Sequence, residues 1–115
     1  MNFIISSESL LKIIQPVIGI IVNNPALPII ENILLELNNG RLYVKATDLE
    51  TTIINSTQVE SKSNSSIAIN AKLLSETLRT FPEQPLTFKT NDQNNTLEIT
   101  SEQGSYTLSY TNSDE

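Results

Sequence analysis

The side chains that could take part in catalysis are few, and their spacing assembles no reaction centre. Asp48 and Glu50 are the best-placed carboxylate pair, but they lie two residues apart at a corner between strands, where such groups usually accept hydrogen bonds from backbone N–H groups. Ser6, Ser7 and Ser9 would need a neighbouring base to act as nucleophiles. The chain contains neither histidine nor cysteine, so the usual serine triad, thiol chemistry and zinc–thiolate sites are excluded.

Loops for phosphates and metal ions are also missing from the sequence. Gly40 and Gly104 are isolated turn glycines rather than parts of a Gly-rich phosphate loop, and no acidic cluster has the spacing of a calcium loop. We therefore predict no catalytic residue, no cofactor and no metal site, and a function in binding rather than in catalysis.

Charge and hydropathy limit the partners. The formal net charge is −6, unlike that of a generically basic nucleic-acid binder. No apolar run approaches membrane-spanning length, and Met1 and Asn2 lead into a strand-like segment without a signal-peptide pattern. The sequence predicts one cytoplasmic domain over residues 1–115 with no membrane contact, and the polar end Asn112–Glu115 is consistent with a domain boundary.

Three basic residues lie on two predicted helices. The first helix runs from Glu8 to about Val22 after the cap residues, with Pro16 predicted to kink it or end its first segment. The second runs from Ala71 to Thr80 after a cap at Asn70. The predicted polar stripes are Glu8, Lys12, Gln15 and Gly19 on the first helix, and Lys72, Ser75, Glu76 and Arg79 on the second.

These stripes have two interpretations. Each could be an ordinary solvated helix face. Alternatively, Lys12, Lys72 and Arg79 could form a sparse basic surface that contacts phosphates without reading bases.

The remaining segments read as strands. Pro25 and Pro28 stiffen a loop that leads into a hairpin, whose turn Asn38-Asn39-Gly40 supplies the residues that accept a positive φ. Alternating apolar and polar residues predict further short strands separated by Asn-rich and Gly-containing turns. The predicted strands lie near residues 3–5, 33–37, 41–46, 51–59, 67–69, 86–90, 96–100 and 105–110.

The order strand, helix, strand, strand, strand occurs twice. Setting Ser6 against Asn70, an offset of 64 residues, aligns the two helices and pairs Gln15 with Arg79. The predicted fold class is α+β: two helices packed on antiparallel sheets, with an internal pseudo-two-fold repeat of half-units at about 1–60 and 66–111.

The last predicted strand carries a separate signal. Tyr106, Leu108 and Tyr110 alternate with small polar residues and share one face. That face could point into the core, or it could belong to an edge that pairs with another chain.

One segment resembles a known family. The pattern Pro-x-Leu-Pro-Ile-x-x-Asn-Ile-Leu at 25–34, followed by Thr-Asp-Leu-Glu at 47–50, is similar to the N-terminal domain of the bacterial DNA polymerase III beta subunit, the sliding clamp. The similarity extends over all 115 residues, from Phe3 through Leu10-Leu11-Lys12 and Phe81-Pro82-Glu83 to the last strand.

The resemblance implies a function and its residues. Clamp subunits with three such domains form a homodimeric ring around double-stranded DNA, and bind the replicative polymerase and the clamp loader through domains absent here. Helices line the channel of the ring, and the last strand of the first domain meets the partner subunit. DNA contacts are therefore expected from Lys12, Gln15, Asn24, Lys72 and Arg79, and subunit contacts from Tyr106 and Leu108.

Asn24 departs from the family pattern, because a basic residue often precedes the first loop proline in clamps. Only a neutral hydrogen-bonding contact is expected here. Two alternatives remain open. One is a stand-alone α+β interaction module without a nucleic-acid role, and the other is a small-ligand enzyme.

Overall fold

The computed structural model describes residues 1–22, 32–47, 52–61 and 63–112. These residues form two helices and nine strands, in the order strand, helix, three strands, strand, helix, four strands. The elements are β1 (Asn2–Ser6), α1 (Ser7–Val22), β2 (Asn32–Asn38), β3 (Arg41–Thr47), β4 (Thr52–Gln58), β5 (Ser65–Asn70), α2 (Ala71–Arg79), β6 (Pro85–Asn91), β7 (Thr96–Ser101), β8 (Gly104–Ser109) and β9 (Thr111–Asn112).

The strands form two antiparallel sheets that exchange their first strands. One sheet has the order β1-β6-β7-β8 and the other β4-β3-β2-β5-β9. Strand β1 of the first half thus pairs with the second half, with Phe3 opposite Phe88, while β5 of the second half pairs with β2, with Ile69 opposite Ile33. The predicted α+β class with its pseudo-two-fold repeat is confirmed, and the exchange ties the halves together.

Both helices begin at the predicted caps. The Ser6 Oγ accepts a hydrogen bond from the Ser9 N–H at 3.2 Å, and the Asn70 Oδ1 accepts one from the Leu73 N–H at 2.8 Å. Each bond satisfies a backbone donor that has no partner within the helix. Helix α1 continues through Pro16 to Val22, so of the two predicted effects of this proline the end of a first segment is excluded and the kink stays a prediction.

The core lies between the helices and the inner faces of both sheets. Alternate residues of the strands point into it, and so do the apolar sides of the helices, which contact each other. Its largest fully buried side chains include Phe3, Phe88, Leu10, Ile14 and Leu74. None of the helices that the structure describes is both long and apolar enough to cross a membrane.

Turn chemistry decides where the strands reverse. Asn39 and Gly40 have φ values of 52° and 76°, as the two-residue hairpin between β2 and β3 requires.

Strand β9 was not predicted, because two polar residues carry no alternation from which a strand could be inferred.

Candidate nucleic-acid interface

The exposed sides of the two helices carry most of the predicted DNA-contacting residues. We call this set the helix surface: Glu8, Lys12 and Gln15 of α1, and Lys72, Glu76 and Arg79 of α2, all of which are exposed. Both helices bury their opposite sides in one core, so the same packing that stabilises the fold leaves these side chains in solvent. Asn24 lies outside the described residues, as do Asp48 and Glu50.

One member of the predicted stripe on α2 lies elsewhere. Ser75 is only 4% exposed, together with Ala71, Leu74 and Leu78, so its placement on the polar side is wrong. A serine is small enough to lie among apolar neighbours, and polarity alone therefore misplaces it. Of the stripe predicted on α2, the exposed residues are therefore Lys72, Glu76 and Arg79.

Of the three cations on the helix surface, Lys12 forms an ion pair. Its Nζ lies 3.9 Å from the Glu8 Oε1, one helical turn earlier, and both side chains are more than half exposed. Exposed pairs of this kind contribute only about 0.3–0.5 kcal/mol to stability. Within the described part of the chain, neither Lys72 nor Arg79 has an ion pair.

Glu83 joins this site from a distant part of the sequence. The Ser7 Oγ donates a hydrogen bond to the Pro82 carbonyl at 3.1 Å, and the Ser7 N–H donates one to the Gln84 carbonyl at 3.1 Å. These bonds hold the loop before β6 against the start of α1. There the adjacent Glu8 carboxyl raises the pKa of the Glu83 carboxyl, and the Lys12 ammonium partly opposes the shift.

No local signal in the sequence indicates this contact. Glu8 and Glu83 lie 75 residues apart, and the two hydrogen bonds from Ser7, together with the pairing of Ser6 with Pro85, bring the loop before β6 to the start of α1. Among the residues that the structure describes, no group of three potential metal-ligating side chains comes together.

Strand β8 forms one edge of its sheet, and within the described residues it pairs only with β7. The predicted alternation is only partly present in the burial of this strand, whose one buried residue is Leu108. Leu108 is 7% exposed and belongs to the core, whereas Tyr106 is 45% exposed and meets the Phe81 ring edge-on, with centroids 5.3 Å apart. The Tyr110 hydroxyl donates a hydrogen bond to the Asp92 Oδ1 at 2.9 Å, and burial, together with this bond, raises the pKa of Tyr110.

Comparison with known proteins identifies the family. Residues 1–115 match the family described as the DNA polymerase III beta subunit, N-terminal domain. The chain belongs to this family. The resemblance carried by the Leu-Pro-Ile and Thr-Asp-Leu-Glu segments is therefore confirmed, and the stand-alone interaction module is not favoured.

Individual relatives agree with this assignment. The beta sliding clamp of Haemophilus influenzae is 37% identical over 98 residues, which cover 84% of the chain and 27% of that relative. The beta sliding clamp of Pseudomonas putida is 31% identical over 87 residues, covering 75% of the chain and 24% of the relative.

Solved beta-subunit structures have the same fold. The DNA polymerase sliding clamp of Caulobacter crescentus superposes with a TM-score of 0.87 at 25% identity, covering 100% of the chain and 31% of that structure. The beta subunit of Pseudomonas aeruginosa gives a TM-score of 0.87 at 26% identity, with the same coverage. The chain thus spans less than a third of the length of these relatives.

Proposed function

We propose that this chain is the first domain of a sliding clamp, a processivity factor that encircles duplex DNA and tethers the replicative polymerase in the cytoplasm. The observation that carries the proposal is the match of residues 1–115 to the N-terminal domain of the DNA polymerase III beta subunit. The domain would act without catalysing a reaction. The polymerase and the clamp loader would bind the further domains that clamp subunits contain.

The helix surface would provide the DNA contact. Lys12, Lys72 and Arg79 are exposed cations on helices that pack against one core, and Gln15 adds a neutral hydrogen-bonding group. Contacts to phosphates hold a duplex without specifying its sequence, and few of them give the low affinity that sliding requires. Asn24 would add at most a neutral contact, because its side chain carries no charge.

The edge at β8 would provide the junction with a partner subunit. Its backbone N–H and C=O groups can extend a sheet into another chain, and the exposed Tyr106 ring supplies the aromatic surface typical of subunit interfaces. Leu108, which lies mostly in the core, would support this edge from beneath and add its remaining exposed surface.

Titration of fluorescent duplexes of unrelated sequence tests the DNA contact. The 115-residue chain should bind all of them equally, with a Kd no tighter than about 10⁻⁴–10⁻⁶ M, and more weakly at higher salt. Replacing both Lys72 and Arg79 by Ala should weaken binding. The matched double variant Arg41→Ala, Lys89→Ala removes the same charge from the strands β3 and β6 and should have a smaller effect.

Equal losses in the two double variants would mean that binding reflects net charge alone. That result, or submicromolar binding insensitive to salt, would contradict a sliding contact at the helix surface.

A further inference from the structure

The two helices carry opposite charges at corresponding positions. The offset that superposes the caps Ser6 and Asn70 also sets Glu8 against Lys72, and Lys12 against Glu76. The halves are alike in element order, yet the charge at the start of each helix is reversed. A difference of this kind affects the surface and not the fold, because all four side chains are exposed.

The reversal changes which cations are free. In α1 a glutamate precedes a lysine by four residues, the order that favours an ion pair, and the Glu8–Lys12 pair forms at 3.9 Å. In α2 the order is Lys72 then Glu76, which is less favourable. Within the described residues Lys72 and Arg79 form no ion pair, although Glu76 lies between them on the exposed side of α2.

The helix ends reinforce this difference. Glu8 lies in the first turn of α1, where its negative charge offsets the positive end of the helix dipole. The first turn of α2 contains no acidic residue and holds Lys72, so dipole and side chain have the same sign there. Glu83, held beside Glu8 by the two hydrogen bonds of Ser7, adds a second carboxyl group near Lys12.

A phosphate that approaches Lys12 therefore also approaches Glu8 and Glu83. The Glu8 carboxylate lies 3.9 Å from the Lys12 ammonium, so a phosphate bound at Lys12 would lie within the Debye length of about 8 Å from Glu8, and salt would not fully screen their repulsion. In the part of the chain that the structure describes, no carboxylate forms an ion pair with Lys72 or Arg79.

From this asymmetry we infer that α2 supplies the phosphate contacts of the helix surface. We also infer that Glu8 and Glu83 are positioning residues, which compensate the charge of Lys12 and keep the phosphate contact at α1 weak. The inference rests on the proposed DNA contact. It assigns unequal roles to three cations that the sequence alone treats as equivalent.

The test measures duplex affinity of the 115-residue chain at about 50 and 200 mM salt for single variants. Lys72→Ala and Arg79→Ala should each weaken binding on the order of fivefold at the lower salt and reduce the slope of log K against log salt by about 1. Lys12→Ala should change affinity less than about twofold, because the charge it removes is already compensated. The double variant Glu8→Gln, Glu83→Gln should strengthen binding on the order of fivefold and raise the slope by about 1.

The control Lys89→Ala removes one exposed cation from β6, outside the helix surface, and should behave like the wild type within about twofold. An effect of Lys12→Ala as large as that of Arg79→Ala, with no gain in the double glutamine variant, would overturn the inference and leave the proposed function standing. Equal losses in all four alanine variants, or a wild-type chain that binds no duplex, would overturn the proposed function itself. Circular dichroism of each variant verifies that it is folded.

Discussion

The rings of Phe3 and Phe88 stack in parallel, with centroids 4.7 Å apart and planes inclined by 3°. Phe3 lies in the first strand and Phe88 in the first strand after α2, and the two residues are opposite each other in the sheet. Both are fully buried. This contact fastens the first strand of the chain into the sheet of the second half, so it connects the two half-units through the core.

We expect Phe88→Ala to destabilise the domain by about 3–5 kcal/mol, because it removes a large buried ring and leaves a cavity beneath Phe3. Urea denaturation followed by circular dichroism measures this loss. The neighbouring exposed residue serves as the control, since Thr87→Ala should stay within about 0.5 kcal/mol of the wild type. Equal stability of the two variants would show that the stacked pair does not join the halves.

Asn70 is the cap of α2, and its loss should destabilise the helix start. Asn70→Ala removes the acceptor for the Leu73 N–H and should cost about 1 kcal/mol of unfolding free energy. Asn70→Asp keeps an oxygen at the same place and should restore most of the stability. If the Ala and Asp variants melted at the same temperature, the hydrogen bond would not be the source of the effect.

Leu108 and Tyr106 should respond differently to a charge. Leu108→Asp would bury an unpaired carboxylate in the core, so the isolated chain should unfold or lose most of its stability. Tyr106→Asp changes a half-exposed side chain on the same strand, and the isolated chain should remain folded. In a complete clamp subunit, the tyrosine variant tests the proposed junction, with sedimentation as the measurement. A dimer of unchanged affinity would remove Tyr106 from the interface.

Glu83 should make stability depend on pH. Because its pKa is raised in the folded state, folding is less favourable when the carboxyl is ionised, and this penalty disappears as the pH falls through the raised pKa. Glu83→Gln should therefore melt at a higher temperature than the wild type at pH ~7, and the difference should vanish near pH ~4, where the carboxyl is protonated.

The control for this prediction is Glu60→Gln, which removes the same charge from an exposed residue elsewhere on the surface. Similar shifts in the two variants would indicate relief of the overall negative charge rather than of the contact with Glu8. A Glu83→Gln variant that melts below the wild type at neutral pH would contradict the repulsive arrangement.

Much of the fold was predictable because it depends on near neighbours in the chain. Caps at Ser6 and Asn70 and the turn at Asn39-Gly40 require particular residue types at particular positions, and the structure has them. The helix surface was also largely predictable, since the period of 3.6 residues places Lys12 and Arg79 opposite the apolar side.

The sequence by itself thus determined all the elements except β9, their caps and turns, and the cations available for binding. Only the tertiary structure decided which strands pair, that Ser75 is buried, and that Glu83 lies beside Glu8. The physical reason is the separation along the sequence of the groups that interact. Caps and turns are satisfied within a few residues, whereas strand exchange and the electrostatics around Lys12 depend on groups that lie far apart in the sequence and meet only when the core has formed.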